Sequence, residues 1–451
     1  MTPTATQTVS VQASADAASS PVKTSFPKDK IRVVLLENIH PRAEEMLTAE
    51  GFKIEKHAKG LEGEKLIAAA KEAHVLGIRS ASNVRKDVLA ACPRLLSVGC
   101  FCIGTNQVDL RGACLGGVPV FNSPFSNTRS VAELTIAEVI ALHRRLIDKS
   151  VQMHAGKWDK SAAGAHEVRG RTLGIVGYGR IGSQVSVLAE AMGMRVIYFD
   201  VLSCLPLGNA RPVRTLEELL KSSDVVSLHV PATKKTEKLI GARQIASMRD
   251  GASLVNNARG SVVDLAALAA ALKSGKISGA ALDVFPSEPS SNGEEFVSEV
   301  RGLANVILTP HVGGSTEEAQ ASIAEDVATK LIRYVNNGST TGAVNVPQVD
   351  LPEQDEIADA GAEGAAGGGA GGGGGKSHRR HRILHFHRNV PGVLSKINTI
   401  MADLGVNIAG QYLKTNDDVG YVVLDVDPTE AAPATDRLRS IPETIRVRML
   451  W

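Results

Sequence analysis

Short apolar runs alternate with longer amphipathic stretches along most of this chain. Ile31–Leu36, Phe52–Glu55, Val75–Ile78, Leu95–Val98 and Val118–Val120 are runs of strand length with helical segments between them. Pro41 opens the first of those helices, since its fixed φ and missing N–H suit a first turn. Strands alternating with helices predict a parallel sheet covered on both faces, here a small α/β unit of about 100 residues. A long helical stretch, roughly Ser130 to His154, leads to a second α/β unit that begins at Arg171. Its strand runs are Leu173–Val176, Met194–Phe199, Val225–Leu228, Ser253–Asn256, Gly279–Leu282 and Val306–Leu308. A last helix is expected from about Ser315 to Asn336, with Ser315 and Glu318 forming a capping box.

Then the pattern stops. Asp359 to Lys376 is mostly Gly and Ala, with Gly371 to Gly375 unbroken. Such a run has nothing to bury against its ordering entropy and is expected to be a flexible tether, spanning roughly 25–30 Å. Beyond it the order is β-α-β-β-α-β, over Arg382–Arg388, Gly392–Leu404, Asn407–Lys414, Gly420–Val426, Thr429–Arg439 and Thr444–Leu450. Asn416-Asp417-Asp418 supplies a tight turn between the middle strands, and the order is ferredoxin-like. At the other end, the first 29 residues are rich in Ser, Thr and Ala. They lack an apolar h-region and the arginines of a transit peptide, so a disordered arm is expected.

Composition narrows the function classes. With 50 basic against 48 acidic residues, no charge excess points to nucleic acid or a membrane surface. No apolar run is long enough to span a bilayer. The five cysteines (Cys92, Cys100, Cys102, Cys114, Cys204) are odd in number and form no CxxC pair, which suits free thiols in the cytoplasm. Cys100 and Cys102 are too close and collinear for an easy disulfide and lack further metal ligands, so no metal is expected. His378, His381, His385 and His387 are explained, for the most part, by a partly exposed strand edge beside the tether.

The chemistry begins at Gly177-Tyr178-Gly179-Arg180-Ile181-Gly182, which follows an apolar run and opens a helix. The next strand ends on Asp200, 23 residues after the first glycine. Strand, glycine turn, helix and acid-terminated strand together describe a dinucleotide-binding unit, far more specific than the glycine spacing alone. Gly177 permits the turn, Gly179 admits a pyrophosphate close to the backbone, and Gly182 allows helix–sheet packing. Asp200 suits both ribose hydroxyls and repels a 2′-phosphate, so NAD is favoured over NADP. Three later loops each follow a strand, the edge where ligands bind in open α/β sheets. They are Asn256-Asn257-Ala258-Arg259-Gly260, Asp283 to Pro289, and Thr309-Pro310-His311-Val312-Gly313-Gly314. Arg259 alone could be a surface ion pair, Glu288 a solvated charge and His311 a satisfied loop histidine. Together they are the parts needed to oxidise an alcohol beside a carboxylate: an anion clamp, and a histidine base whose tautomer a carboxylate fixes.

These same segments resemble the D-isomer-specific 2-hydroxyacid dehydrogenases. Gly99-Cys100-Phe101-Cys102-Ile103-Gly104-Thr105-Asn106, Phe125 to Glu133 and His311-Val312-Gly313-Gly314-Ser315-Thr316 are closest to those members that oxidise 3-phosphoglycerate at the entry to serine biosynthesis. The tail resembles an ACT domain, a small regulatory fold that binds amino acids. The resemblance implies catalytic roles for Arg259, Glu288 and His311. It implies NAD contacts at Gly177, Gly179, Arg180, Ile181, Gly182, Asp200, Asn257, Ala258, Arg259, Asp283, His311, Gly313 and Gly314. Substrate contacts fall on Arg79, Ser80 and Asn127, and an amino-acid effector, L-serine, on His387, Asn389 and Asn407. Two positions depart from relatives: Ala81, often basic there, and Arg388, often acidic.

The fold implied is α/β: a Rossmann-type doubly wound cofactor domain (127–308) inserted in a flavodoxin-like α/β substrate domain (30–126 and 309–347). A Gly-rich linker (350–378) and a ferredoxin-like ACT domain (379–451) follow the arm of residues 1–29. The ACT domain is expected to pair with another copy across a two-fold axis, in a homotetramer. Two other functions use the same residues: a dehydrogenase for another 2-hydroxy acid, such as 2-hydroxyglutarate or glycolate, and an NAD-sensing regulator without turnover.

Overall fold

The computed structural model describes residues 27–289, 293–352, 356–357, 378–427 and 431–450. The Gly/Ala run and the arm up to residue 26 lie outside the described residues. The arm's last residues enter a turn, Lys28–Lys30, which Lys28 pins to Glu50 at 2.6 Å.

The first lobe is a five-stranded parallel sheet built from β1 (Arg32–Leu35), β2 (Lys53–Lys56), β3 (Val75–Ile78), β4 (Ser97–Cys100) and β5 (Val120–Asn122). Its order, β2-β1-β3-β4-β5, is the flavodoxin-like one. The helices are α1 (Pro41–Ala49), α2 (Gly63–Ala70), α3 (Lys86–Ala91) and α4 (Leu110–Leu115). β4 and β5 start two residues later than the apolar runs suggest. Leu95 and Val118 are buried in the approach to each strand, so apolarity precedes the ladder there.

One long helix was expected next, and two are found: α5 (Thr128–Arg144) and α6 (Leu146–His154). Arg145 sits between them at φ 50°, a left-handed residue that no continuous helix accommodates.

The second sheet has seven parallel strands: β6 (Thr172–Val176), β7 (Arg195–Phe199), β8 (Arg211–Pro212), β9 (Val225–Leu228), β10 (Ala252–Asn256), β11 (Ile277–Leu282) and β12 (Val306–Leu308). The order is β12-β11-β10-β9-β6-β7-β8, so the direction of winding reverses between β6 and β9. Its helices are α7 (Arg180–Ala191), α8 (Leu216–Ser222), α9 (Ala242–Ser247) and α10 (Leu265–Ser274).

The chain then returns to the first lobe as α11 (Glu317–Asn337), whose Ile323, Val327 and Leu331 join the core around β1 and Phe121. Thr316, not Ser315, caps this helix, its hydroxyl accepting from the Ala319 N–H at 3.2 Å.

After a two-residue ribbon, β13 (Glu356–Ile357) with β14 (His378–Arg379), the tail forms β15 (His381–Arg388), α12 (Val393–Asp403), β16 (Ile408–Thr415), β17 (Val419–Val426), α13 (Ala431–Arg439) and β18 (Thr444–Leu450). The antiparallel order β16-β17-β15-β18 is ferredoxin-like. β15 is therefore an interior strand. The expectation of a partly exposed edge fails for His385 and His387, which are 0% and 4% exposed.

The alternation along β15 and β17 serves two cores. Ile383, Val422 and Leu424 face α12 and α13, while Leu384, Phe386, Tyr421 and Val423 pack on the first lobe beside Tyr334 and Val335. Arg382, 1% exposed, is held by Asp425 through two bonds of 2.6 and 2.8 Å, and its remaining Nη1 donates to Asn337 O and Pro352 O. The tail is thus docked on the substrate lobe of its own chain, a contact that nothing in the tether's composition announces.

Candidate active site

The reversal in winding puts the glycine turn where the sheet opens. Gly177 has φ 93°, and a Cβ on it would stand 2.5 Å from His229 O, so neither the conformation nor the space admits a side chain. Gly179 faces open space and caps α7 with no side-chain partner, which leaves N–H groups of a 12-residue helix directed outward. Asp200, just beyond β7, accepts from Tyr178 N at 2.7 Å and Leu202 N at 2.9 Å. Its carboxylate is thereby fixed at the edge of the turn with lone pairs to spare. The Arg180 guanidinium lies 3.9 Å over the ring of Phe125, at the exit from the first lobe.

The arginine, glutamate and histidine loops stand on the adjacent strands β10, β11 and β12. Asn256 Oδ1 accepts from Ala258 N, its Nδ2 donates to Arg259 O, and Arg259 follows in extended backbone. Gly260 lies so near the next loop that a Cβ would be 1.9 Å from Phe285 C. The arginine and glutamate loops are therefore stacked without a gap. Glu288 Oε1 accepts from Phe285 N at 3.0 Å, and its Oε2 meets His311 Nδ1 at 2.8 Å. His311 holds φ 54°, an unusual left-handed conformation that turns its ring toward Glu288.

The pair tunes itself. Burial pushes the Glu288 carboxyl up, but the bonds from His311 and the Phe285 N–H outweigh it and hold the carboxyl below its ordinary range. The bond to Glu288 raises His311 above an ordinary histidine, against burial and against the nearby Arg259.

Asp283, one of the expected NAD contacts, lies under the histidine loop. It is 1% exposed and accepts from Thr309 Oγ1, Val312 N and Gly313 N at 2.6 to 2.8 Å, carrying the histidine loop from below. Asn257 also turns inward: its Nδ2 donates to Thr135 Oγ1 at 3.0 Å and to Glu138 Oε2 at 2.7 Å, both on α5. Glu138 is 3% exposed and was not anticipated from the sequence, where it is one acid in an amphipathic helix. Burial raises its carboxyl to about 7, with Asp283 adding to the effect. Ala258, within the arginine loop, is itself buried.

Asn127 sits where the lobes join, its Nδ2 against Gly314, while Ser130 Oγ donates to Gly313 O at 2.6 Å. Arg79 and Ser80 follow β3 on the first lobe, with Arg79 half-buried and Ser80 exposed. His311, Glu288, Arg259 and the dinucleotide turn thus share the strand-end edge of one sheet, and Arg79 belongs to the strand-end edge of the other.

The three tail positions divide. His387 is buried with Nδ1 on Arg388 O, and Asn389 Nδ2 donates to Asn416 O beside the start of β17. Asn407 Nδ2 donates to Asp427 beyond the end of β17. Eight residues of strand separate the two groups, about 25 Å. One subunit does not bring them together.

Among the described residues, no group of three or more His, Cys, Asp or Glu is placed to hold a metal ion. No described helix is long and apolar enough to cross a membrane.

Comparison with known proteins agrees with this geometry. Residues 136–313 match the D-isomer specific 2-hydroxyacid dehydrogenase NAD binding domain, and residues 383–446 match an AHAS small subunit-like ACT domain. The chain is 50% identical over 430 residues to a D-3-phosphoglycerate dehydrogenase of Haemophilus influenzae, covering 95% of this chain and 99% of that protein. It is 47% identical over 432 residues to that of Escherichia coli K12, covering 95% and 100%. Among solved structures, a D-lactate dehydrogenase from Aquifex aeolicus complexed with NAD and lactic acid matches with TM-score 0.59 and 30% identity, over 67% of this chain and 95% of that one.

Proposed function

This chain belongs to the D-isomer-specific 2-hydroxyacid dehydrogenases, among them to the D-3-phosphoglycerate dehydrogenases, and from that premise we propose how its residues divide the work. The enzyme is NAD-dependent, acts in serine biosynthesis and carries an ACT regulatory domain. The turn fits its cofactor: the open space at Gly179, the bare N-terminus of α7 and the fixed carboxylate of Asp200 match pyrophosphate and ribose. NAD, when bound, accepts the hydride from C2 of the hydroxy acid.

Arg259 binds the C1 carboxylate through its planar fork. His311 gives its Nδ1–H to Glu288, which leaves Nε2 to accept the C2 hydroxyl proton. Glu288 stabilises the imidazolium that results. Asp283 holds the histidine loop by three bonds, so Nε2 is aimed before substrate arrives. Arg79, with Ser80, takes the phosphate end from the opposite lobe, and Asn127 lines the junction. The 2.8 Å bond between His311 and Glu288, on loops adjacent to that of Arg259, carries the assignment.

The rate of NADH formation from 3-phosphoglycerate tests it, with D-2-hydroxyglutarate and glycolate alongside. His311→Ala should lower turnover on the order of a hundredfold or more while the far-UV spectrum is unchanged. Near-normal turnover would overturn the mechanism. A faster rate on 2-hydroxyglutarate would reassign the substrate, an outcome the small Ala81 beside Arg79 keeps in view.

L-Serine as effector is supported by the ACT match and by the split of His387 and Asn389 from Asn407. A two-fold axis along the free edge of β16 would set Asn407 of one copy against Asn389 of the other, so the site is complete only in the pair. Pairing through this edge and through the catalytic lobes would give a tetramer.

A further inference from the structure

We propose that Glu37 is a positioning residue for the phosphate end of the substrate: its carboxylate clamps the loop at 79–82 and so aims Arg79. The inference rests on the reading of Arg79 given above.

Glu37 follows β1 at the strand-end edge of the first lobe. Its two oxygens accept from two successive backbone amides, Oε2 from Ala81 N and Oε1 from Ser82 N, both at 2.8 Å. Only a carboxylate serves this arrangement, since an amide would turn its NH2 against one of the N–H groups. The chain strains to deliver it: Glu37 and Asn38 both occupy the left-handed region, at φ 66° and 49°. Two consecutive non-glycine residues in that region persist only where surrounding contacts over-determine them, as at ligand clamps.

The rest of the loop is pinned to match. Gln107, 3% exposed, donates to Arg79 O, and Ser82 is fully buried with its hydroxyl accepting from Leu61 N at 3.1 Å. Four contacts thus hold the loop from the Arg79 carbonyl to Ser82, while the Arg79 side chain stays half-exposed.

The test is steady-state kinetics of Glu37→Gln, Arg79→Met and the double variant on 3-phosphoglycerate and on D-glycerate, the same acid without phosphate. Glu37→Gln should raise KM for 3-phosphoglycerate on the order of tenfold, the worth of one charge-assisted bond, with KM for NAD and kcat within about twofold. Its kcat/KM for D-glycerate should move no more than about twofold, and the double variant should be little worse than Arg79→Met alone. If Arg79→Met raises KM for 3-phosphoglycerate and Glu37→Gln does not, Glu37 has no positioning role. If Arg79→Met itself has no effect, the assignment of Arg79 falls and this inference with it. Equal losses on both acids would also overturn it, since they mark a general structural defect. Should Glu37→Gln fail to fold, Glu37→Asp replaces it; its carboxylate is drawn back by one methylene, about 1.5 Å, and the same discrimination is expected.

Discussion

Glu138 offers a prediction whose size follows from the structure. Its carboxyl rises from 4.5 to about 7 because it is buried, with Asn257 Nδ2 as its single hydrogen-bond donor and its Oε1 unpartnered among the described residues. A raised acid binds its proton more tightly folded than unfolded. Between pH 4.5 and 7 the unfolded chain has lost that proton and the native chain keeps it, so stability falls as pH rises through this window. At about 1.4 kcal/mol per unit, the loss comes to roughly 3 kcal/mol and is complete above pH 7. Glu138→Gln keeps the acceptor for Asn257 and removes the titration. The variant should therefore match the parent near pH 4.5 and exceed it by roughly 3 kcal/mol at pH 8. For a lobe of this size that is a melting-temperature gap opening by about 6–12 °C. Differential scanning calorimetry of both proteins at half-unit pH steps measures it. Parallel curves, with a constant gap from pH 5 to 8, would show that Glu138 is ionised when folded.

Glu288→Gln should move the acid limb of kcat/KM for alcohol oxidation to lower pH, because the amide puts a neutral acceptor where His311 had the charged one that raises it, and the base must be neutral. An unmoved limb in the pH–rate profile would exclude His311 as that base. Asp200→Gly should narrow the preference for NAD over NADP, read as the ratio of kcat/KM for the two cofactors, and an unchanged ratio would place the ribose elsewhere. Asn389→Ala and Asn407→Ala should each abolish L-serine inhibition alone. Mixing the two after subunit exchange should restore part of it, since one of the two sites in a mixed pair is intact; no restoration would argue for sites within single subunits.

What was legible in the sequence was whatever local chemistry dictates. The glycine turn announces itself because its backbone has no room for Cβ, and the strands of both parallel sheets because buried strands are nearly continuous in apolar residues. The three loops could be found because each follows such a strand. The break at Arg145 was not legible, since the apolar period runs through both helices and a single left-handed residue leaves no compositional trace. The resemblance implied cofactor roles for Asp283 and Asn257, but the bonds of their side chains to His311's loop and to α5 were not legible, because they are set by neighbours distant in sequence. Glu37 and Glu138 were invisible for the same reason: their partners lie 44 and 119 residues away. The tail's histidines misled because edge and interior strands of an antiparallel sheet differ in who pairs with them, not in their own composition.

Regulation of the catalytic cleft from the tail needs a stiff connection, and α11 is one. It begins directly after the histidine loop, where Gln320 donates to Gly314 O. It ends 21 residues later, about 30 Å away, in carbonyls that helix geometry leaves without partners. The tail supplies those partners: Arg448 Nη2 bonds Val335 O at 2.6 Å, Arg382 Nη1 bonds Asn337 O at 3.1 Å, and the Tyr421 hydroxyl bonds Gly338 O at 2.7 Å. Two of these come from charged donors, worth about 1.5–3 kcal/mol each, and with the third they are of the order of the 5.5 kcal/mol that would swing an equilibrium from 1:99 to 99:1. A shift of the tail sheet that strained them would draw on enough energy to move the helix, and the loop bearing His311 lies at its other end. We propose that the route runs through the docked face of the sheet. Removing residues 377–451 is accordingly a poor test of it, because the cut would also uncover Tyr334 and Val335 and leave the end of α11 bare. Arg448→Met is the sharper one: it takes away one bond while Leu384, Phe386 and Tyr421 stay packed, and should weaken effector inhibition while leaving the uninhibited rate within about twofold.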